Sequence, residues 1–108
     1  MNNERRKHPR FEMDLPVTLR AQGKLIPAAT IDISLVGICL LTDLQHEIKD
    51  GAVEVVVDLN PHFRDVSLKG NVLRSQNSIE RKVAIEFNAP SSGLQSLKKF
   101  LSLTGENK

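Results

Sequence analysis

The sequence predicts a mainly β fold, a six-stranded antiparallel β-barrel followed by one C-terminal α-helix. Short segments in which apolar and polar residues alternate recur along the chain at about ten-residue spacing, and turn-forming residues separate them. One apolar stripe with helical spacing follows them near the C-terminus. The chain has 108 residues, of which 40% are hydrophobic and 26% charged. It is therefore long enough for one domain with a single core that needs no disulfide or metal crosslink.

Six segments show the two-residue period of a half-buried strand. The predicted strands cover residues 15–20, 29–35, 38–41, 52–59, 66–74 and 82–87. The segment 52–59 has the clearest pattern, because Val53, Val55, Val57 and Leu59 share one face. A short polar connection between the last two strands is typical of a β-hairpin. Together these strands predict an antiparallel barrel that is closed or nearly closed.

The second predicted strand carries polar residues that bear on function. Its predicted inner face consists of Ile31, Ile33 and Leu35. The alternation then places Thr30, Asp32 and Ser34 on the outer face, so we expect Asp32 and Ser34 to lie side by side at the surface. Gly37 follows this strand, where glycine permits either a positive φ or the close approach of a ligand to the backbone.

The C-terminal helix is predicted from its capping signal and its apolar stripe. Ser92 and Gln95 have the spacing of a capping box. The stripe, predicted to pack on the barrel, consists of Leu94, Leu97, Phe100 and Leu101. Gly105 is expected to end the helix. We therefore assign residues 11–104 to the barrel and helix, and residues 105–108 to a disordered tail.

Residues 1–10 are predicted to form a flexible, basic N-terminal arm. They lack apolar periodicity, and Pro9 disfavours a helical conformation for His8. Four cationic side chains and one carboxylate give the arm a net charge of +3, whereas the whole chain carries +2. The remaining residues therefore carry −1, so the positive charge is local to the arm. This distribution disfavours general binding of nucleic acid through a broad positive face.

Several classes of protein are excluded or disfavoured by composition. Cys39 is the single cysteine, so no intrachain disulfide can form, and its apolar neighbours predict a buried, inert thiol. No segment has the roughly 18 consecutive apolar residues that a membrane span needs. The N-terminus lacks the apolar core of a signal peptide. We therefore expect a cytoplasmic protein without membrane insertion.

Catalysis and metal binding are also disfavoured. His8, His46 and His62 are isolated in the sequence and show none of the ligand spacings typical of a metal site. No glycine-rich phosphate loop connects a strand to a helix. The expectation is a binding protein with no catalytic residue, no metal and no cofactor.

The arginines of the arm and the polar face of the second strand could bind a guanine nucleotide. A guanidinium group donates two parallel hydrogen bonds to a phosphate, or to O6 and N7 of guanine. Asp32 could accept hydrogen bonds from N1–H and the exocyclic amine of guanine, and Ser34 could bond to a phosphate, a base or its own backbone. Taken separately, the arm is better explained as a solvated basic tail, and the strand is equally consistent with an ordinary outer face.

In combination, these residues form a pattern. Arg6 and Arg10 stand four apart, and Asp32, Ser34 and Gly37 follow with the spacing D-x-S-x-x-G. The pattern resembles the PilZ domain family, whose signature is RxxxR followed by D/N-x-S-x-x-G, and the resemblance extends over roughly residues 4–103. It implies a bacterial receptor for cyclic di-GMP in which these five residues form the ligand site. Arg5, which precedes the first motif arginine, is predicted to add a third cation to that site.

The leading functional hypothesis is a signal-transduction adaptor, with a role in motility or biofilm regulation. Cyclic di-GMP would order the arm, and an unidentified downstream protein would recognise the change. One alternative is a small β-barrel that binds single-stranded nucleic acid, although the chain has no Trp, no Tyr and only four Phe for base stacking. The second alternative is a protein-interaction module that binds no ligand.

Overall fold

A computed structural model describes residues 10–43, 48–77, 81–88 and 91–105. Most of the predicted arm, residues 1–9, and most of the predicted tail, residues 106–108, lie outside the described residues. Within those ranges the chain forms seven strands and one helix. They are β1 (Phe11–Glu12), β2 (Pro16–Ala21), β3 (Lys24–Ile33), β4 (Gly37–Thr42), β5 (Ala52–Val57), β6 (Val66–Asn77), β7 (Arg81–Phe87) and α1 (Ser92–Gly105).

The strands form a closed antiparallel barrel. Their order is β1-β3-β2-β5-β6-β7-β4, and an additional pairing between β3 and β4 joins six of them into a ring. The two-residue strand β1 lies outside this ring and pairs with the end of β3. The predicted six-stranded barrel with a C-terminal helix is thus confirmed. The sequence analysis did not predict β1, because two residues are too few to show a period.

The barrel interior contains the hydrophobic core. Side chains alternate between buried and exposed along β2, β4, β5 and β7, as the two-residue period predicts. The largest side chains that are completely or almost completely buried are all aliphatic, namely Leu19, Ile26, Ile33, Leu40, Val55, Val57, Leu68, Val83, Ile85 and Leu97. Val53, Val55, Val57 and Leu59 are all buried, so the predicted inner face of segment 52–59 is confirmed.

The strand β3 is longer at its start than predicted. It begins at Lys24, five residues before the predicted start, and it contains Pro27. Pro27 pairs with Thr18 of β2, whereas β4 pairs with β3 only from Ala29 onwards. The edge of β3 that faces away from β2 is therefore unpaired at Pro27 in the described part of the sheet. A proline, which has no N–H to donate, is tolerated at such an edge.

A β-bulge near the end of β3 changes which side chains face inwards. Thr30 pairs with Leu40, but Asp32 pairs with Cys39, so β3 has one extra residue at Ile31. The predicted outward orientation of Thr30 is therefore wrong, and its side chain is buried. Its hydroxyl donates to the carbonyl oxygen of Met13 at 2.7 Å and accepts from the N–H of Leu15 at 2.9 Å. These bonds satisfy the buried hydroxyl and join β3 to the segment between β1 and β2.

The helix α1 packs beside β6 through the predicted stripe. Leu97, Phe100 and Leu101 are buried, and the ring of Phe100 meets Phe63 edge-on with centroids 5.9 Å apart. The predicted capping box is wrong by one residue. The N–H of Leu94 donates to the hydroxyl of Ser91 at 3.1 Å, so Ser91 is the N-cap.

We expect Val55→Ala to lower the free energy of unfolding by about 1–3 kcal/mol, because it leaves a cavity in the packed barrel interior. Val55 has no exposed surface. The matched control is Val56→Ala on the half-buried outer face of the same strand, and we expect it to cost less. Urea denaturation followed by far-ultraviolet circular dichroism measures both values. Equal losses for the two variants would contradict the assignment of inner and outer faces.

Candidate functional site

The tight connection between β3 and β4 carries Ser34 and Gly37. The N–H of Ser34 donates to the carbonyl oxygen of Gly37 at 2.9 Å, and the N–H of Val36 donates to the hydroxyl of Ser34 at 3.2 Å. Ser34 is buried, so its predicted exposure to solvent is wrong. The physical reason is local, because the Ser34 hydroxyl accepts a hydrogen bond from the backbone of the turn that starts at Ser34. Ser34 therefore holds the shape of this turn.

Gly37 allows β4 to approach β7 closely. It pairs with Glu86, and a Cβ at this position would lie 2.6 Å from the carbonyl oxygen of Ile85, closer than any real side chain comes. The N–H of Phe87 also donates to the carbonyl oxygen of Val36 at 2.9 Å. The φ of Gly37 is not positive, so the residue is needed for strand packing rather than for its backbone conformation. The turn is thereby held against β7.

The pairing of β1 with β3 brings Arg10 to Asp32. Glu12 pairs with Asp32, and Arg10 precedes β1 directly. The Nη1 atom of Arg10 lies 3.8 Å from the Oδ2 atom of Asp32, and their side chains are 53% and 22% exposed. An ion pair this long and this exposed contributes less than about 1 kcal/mol to stability. Both groups are therefore available to a ligand at little cost to the fold.

These residues surround one surface concavity with a volume of about 170 Å³. Four of the six predicted site residues line it, namely Arg10, Asp32, Ser34 and Gly37. The other two, Arg5 and Arg6, lie outside the described residues. The structure therefore brings together every predicted site residue that it describes, although those residues are up to 27 positions apart in sequence.

Other lining residues were not singled out by the sequence analysis. They come from the β3–β4 turn and from β4, β6 and β7, and they are Val36, Ile38, Cys39, Leu73, Ala84, Ile85 and Glu86. Only strand pairing places them here, and no motif marks them. Cys39 was predicted to be buried, but it is only partly buried, because it lies on the outer face of β4.

The concavity combines charged groups with an apolar rim. Val36 is 51% and Leu73 60% exposed, and they are two of the four large hydrophobic side chains that are exposed in the described part of the chain. Glu86 and Asp32 add carboxylate acceptors, and Arg10 adds a cation. Such a surface suits a ligand that has an anionic group, hydrogen-bond donors and a flat apolar face.

The described ranges contain neither a candidate metal site nor a membrane-spanning helix. No group of three or more His, Cys, Asp or Glu side chains that could hold a metal ion occurs among them. No helix in those ranges is both long enough and apolar enough to cross a membrane.

The fold and this concavity define a small closed β-barrel with a surface concavity beside its N-terminal segment, lined by the predicted site residues that the structure describes. The sequence matches the family model described as PilZ domain over residues 4–103, which includes all six predicted site residues. The chain belongs to the PilZ domain family. No curated protein sequence matches it.

Solved structures show the same fold. The inhibitor of motility MotI/DgrA from Bacillus subtilis has a TM-score of 0.78 at 22% identity, covering 95% of this chain and 52% of that protein. The PilZ domain of YcgR from Escherichia coli, solved with c-di-GMP, has a TM-score of 0.75 at 12% identity, covering 95% and 92%. PlzA from Borreliella burgdorferi, in complex with c-di-GMP, has a TM-score of 0.60 at 13% identity, covering 98% and 55%. The chain thus spans about half the length of MotI/DgrA and of PlzA.

We expect Asp32→Asn to change the free energy of unfolding by less than about 1 kcal/mol, because its long, exposed ion pair contributes little. Gly37→Ala provides the contrast, with an expected loss of about 1–3 kcal/mol from overpacking against β7. Urea denaturation of both variants tests this difference. If Asp32→Asn were as destabilising as Gly37→Ala, Asp32 would be a structural residue and a poor candidate for ligand binding.

Proposed function

We propose that this protein is a receptor for cyclic di-GMP. The observation that carries the proposal is the convergence of Arg10 and Asp32 on one concavity with an apolar rim, at the positions of the two sequence motifs. The match to the PilZ domain over residues 4–103 supports it, as do the structures of YcgR and PlzA with c-di-GMP. At 12% and 13% identity these structures establish the fold, so the ligand has to be tested on this chain itself.

The chemistry of the ligand matches the groups in the concavity. Cyclic di-GMP has two anionic phosphates and two guanine bases. The guanidinium of Arg10 can donate two hydrogen bonds to a phosphate or to the O6 and N7 edge of guanine. The carboxylate of Asp32 can accept from guanine N1–H and the exocyclic amine. Val36 and Leu73 offer exposed apolar surface for the flat face of a base.

The size of the concavity supports a role for the N-terminal arm. At about 170 Å³ it lies below the roughly 300–1,000 Å³ typical of small-molecule pockets, so the described residues form only part of a complete site. Arg10 is the last residue of the predicted arm and already lies at the concavity. We propose that Arg5 and Arg6 complete the site when the arm folds over the bound ligand.

Ordering of the arm is also the proposed output of the receptor. A segment that becomes ordered changes the surface beside the barrel, and a downstream protein can recognise that surface. We propose regulation of motility as the process, because MotI/DgrA, which has the same fold, is named as an inhibitor of motility.

Binding of single-stranded nucleic acid is less well supported. Such barrels bind bases by stacking them on exposed aromatic rings. This chain has no Trp and no Tyr, Phe87 and Phe100 are buried, and Phe11 and Phe63 pack against the core. Its phenylalanines are therefore used in packing.

Isothermal titration calorimetry with cyclic di-GMP, with GTP and cyclic GMP as controls, tests the receptor function and reports stoichiometry. We expect Arg6→Ala and Arg10→Ala each to weaken binding by about 2–4 kcal/mol, because each removes a charge-assisted bond to the ligand. Arg64→Ala, an exposed arginine outside the concavity, is the matched control and should bind like the wild type. Failure of the wild-type protein to bind cyclic di-GMP would overturn the proposed function.

We expect deletion of residues 1–10 to abolish binding of cyclic di-GMP and to leave the barrel folded, because the hydrophobic core lies entirely after Arg10 among the described residues. Calorimetry measures binding, and circular dichroism with thermal melting confirms the fold. Wild-type affinity in a folded truncated protein would show that the arm takes no part in the site.

A further inference from the structure

A second concavity lies on another part of the barrel surface. Its volume is about 490 Å³, larger than that of the candidate site, and the two share no lining residue. We call it the docking concavity. It lies where β2, β3, β5 and β6 meet the turn before β3 and the residue after β7, and its lining residues are Arg20, Gly23, Lys24, Leu25, Ala52, Val53, Glu54, Lys69, Gly70 and Asn88.

Positive charge dominates the docking concavity. Arg20, Glu54 and Lys69 are neighbours on adjacent strands, because Arg20 pairs with Glu54 and Glu54 with Lys69. The Nη1 atom of Arg20 lies 3.2 Å from Oε1 of Glu54. The Oε2 atom of Glu54 accepts a hydrogen bond from the hydroxyl of Ser67. Glu54, the only carboxylate among the described residues that line the concavity, is therefore already bonded at both oxygens.

Two lysines complete this charge pattern. Lys24 and Lys69 form no ion pair with any residue that the structure describes. Both are exposed at the edge of the docking concavity. Their ammonium groups can therefore pair with carboxylates of another molecule without breaking a contact of the barrel.

An exposed leucine lies beside these cations. Leu25 is 66% exposed, the most exposed of the large hydrophobic side chains in the described ranges, and it pairs directly with Arg20 across β2 and β3. A single exposed leucine is ordinary on a protein surface. Here it stands in a concavity that also holds unpaired cations, and this combination matches a ligand with both apolar and anionic groups.

We propose that the docking concavity binds an acidic segment of a partner protein, in which an apolar side chain packs on Leu25 while flanking carboxylates pair with Lys24 and Lys69. The amide of Asn88 borders the concavity and offers an additional hydrogen-bond donor. A nucleic acid would also neutralise the lysines, but barrels that bind single strands stack successive bases on aromatic rings, and no described residue that lines this concavity is aromatic. The surface therefore suits an acidic protein better than a nucleic acid.

This interaction leaves the candidate site free. Leu25 and Asp32 lie on the same strand, seven residues apart, which corresponds to about 23 Å along an extended chain. A partner in the docking concavity and a nucleotide beside Asp32 can thus be bound at the same time. The proposal does not depend on the identity of the nucleotide, so it stands or falls independently of the proposed function.

The test uses two-dimensional NMR titration of the full chain with a short synthetic peptide in which glutamates alternate with leucines. We expect the largest shifts at the amides of Leu25, Lys69 and Asn88. We expect Leu25→Ser and Lys69→Ala each to weaken binding by about threefold to tenfold, the range for partly exposed contacts. The matched controls on the helix, Leu103→Ser and Lys99→Ala, remove equally exposed groups of the same type and should leave the affinity unchanged.

Two further titrations make the result decisive. A peptide with serine in place of every leucine should bind more weakly than the leucine peptide, and single-stranded oligothymidine should bind this face more weakly still. Absence of saturable binding by the leucine peptide would overturn the proposal, as would equal effects of the Leu25 and Leu103 variants. Tighter binding of oligothymidine at these same amides would assign the surface to nucleic acid instead.

Discussion

The pairing of β3 with β4 is the interaction on which the rest of the structure depends. It closes six strands into a barrel, and it includes the bulge at Ile31. With this bulge, Thr30 is buried against the segment between β1 and β2, and Asp32 lines the surface concavity two residues later. The turn that follows is held to β7 by the close approach at Gly37. Barrel closure and the candidate site are therefore produced by the same pairing.

The two ion pairs among the described residues of this barrel differ in how firmly they are held. Arg20 and Glu54 lie 3.2 Å apart, and Ser67 provides a further hydrogen bond to the carboxylate. Arg10 and Asp32 lie 3.8 Å apart, and Arg10 comes from the end of the chain rather than from a barrel strand. The first pair is part of the scaffold. The second is loose enough for either partner to exchange its contact for one with a ligand.

Much of the fold could be predicted from the sequence, because a buried strand face imposes a two-residue period that is visible in segments such as 52–59. The errors occurred where another interaction outweighed this period. The bulge at Ile31 shifts the register of β3. The Ser34 hydroxyl accepts a hydrogen bond within its own turn, and the hydroxyl of Ser91, rather than that of Ser92, caps the helix. These are contacts between specific atoms, and alternation of residue types carries no information about them.

The candidate site was predictable in part. Arg10, Asp32, Ser34 and Gly37 were found because they belong to motifs with characteristic spacing. Leu73 and Glu86 line the same concavity, but they lie on β6 and β7, and only the register of the closed barrel brings them there. When long-range strand pairing places a residue at a site, no local sequence pattern indicates that position.

The shortness of β1 has a consequence for how tightly any ligand can be held. Only Phe11 and Glu12 attach the segment that carries Arg10 to β3. Ordering each residue costs about 1–2 kcal/mol, so the fraction of molecules in which Arg10 lies beside Asp32 depends on how far these two residue pairs offset that cost. The apparent dissociation constant equals the intrinsic one divided by that fraction. Under the proposed function, substitutions in β1 would therefore shift the ligand concentration at which the site fills, while every group that touches the ligand stays the same.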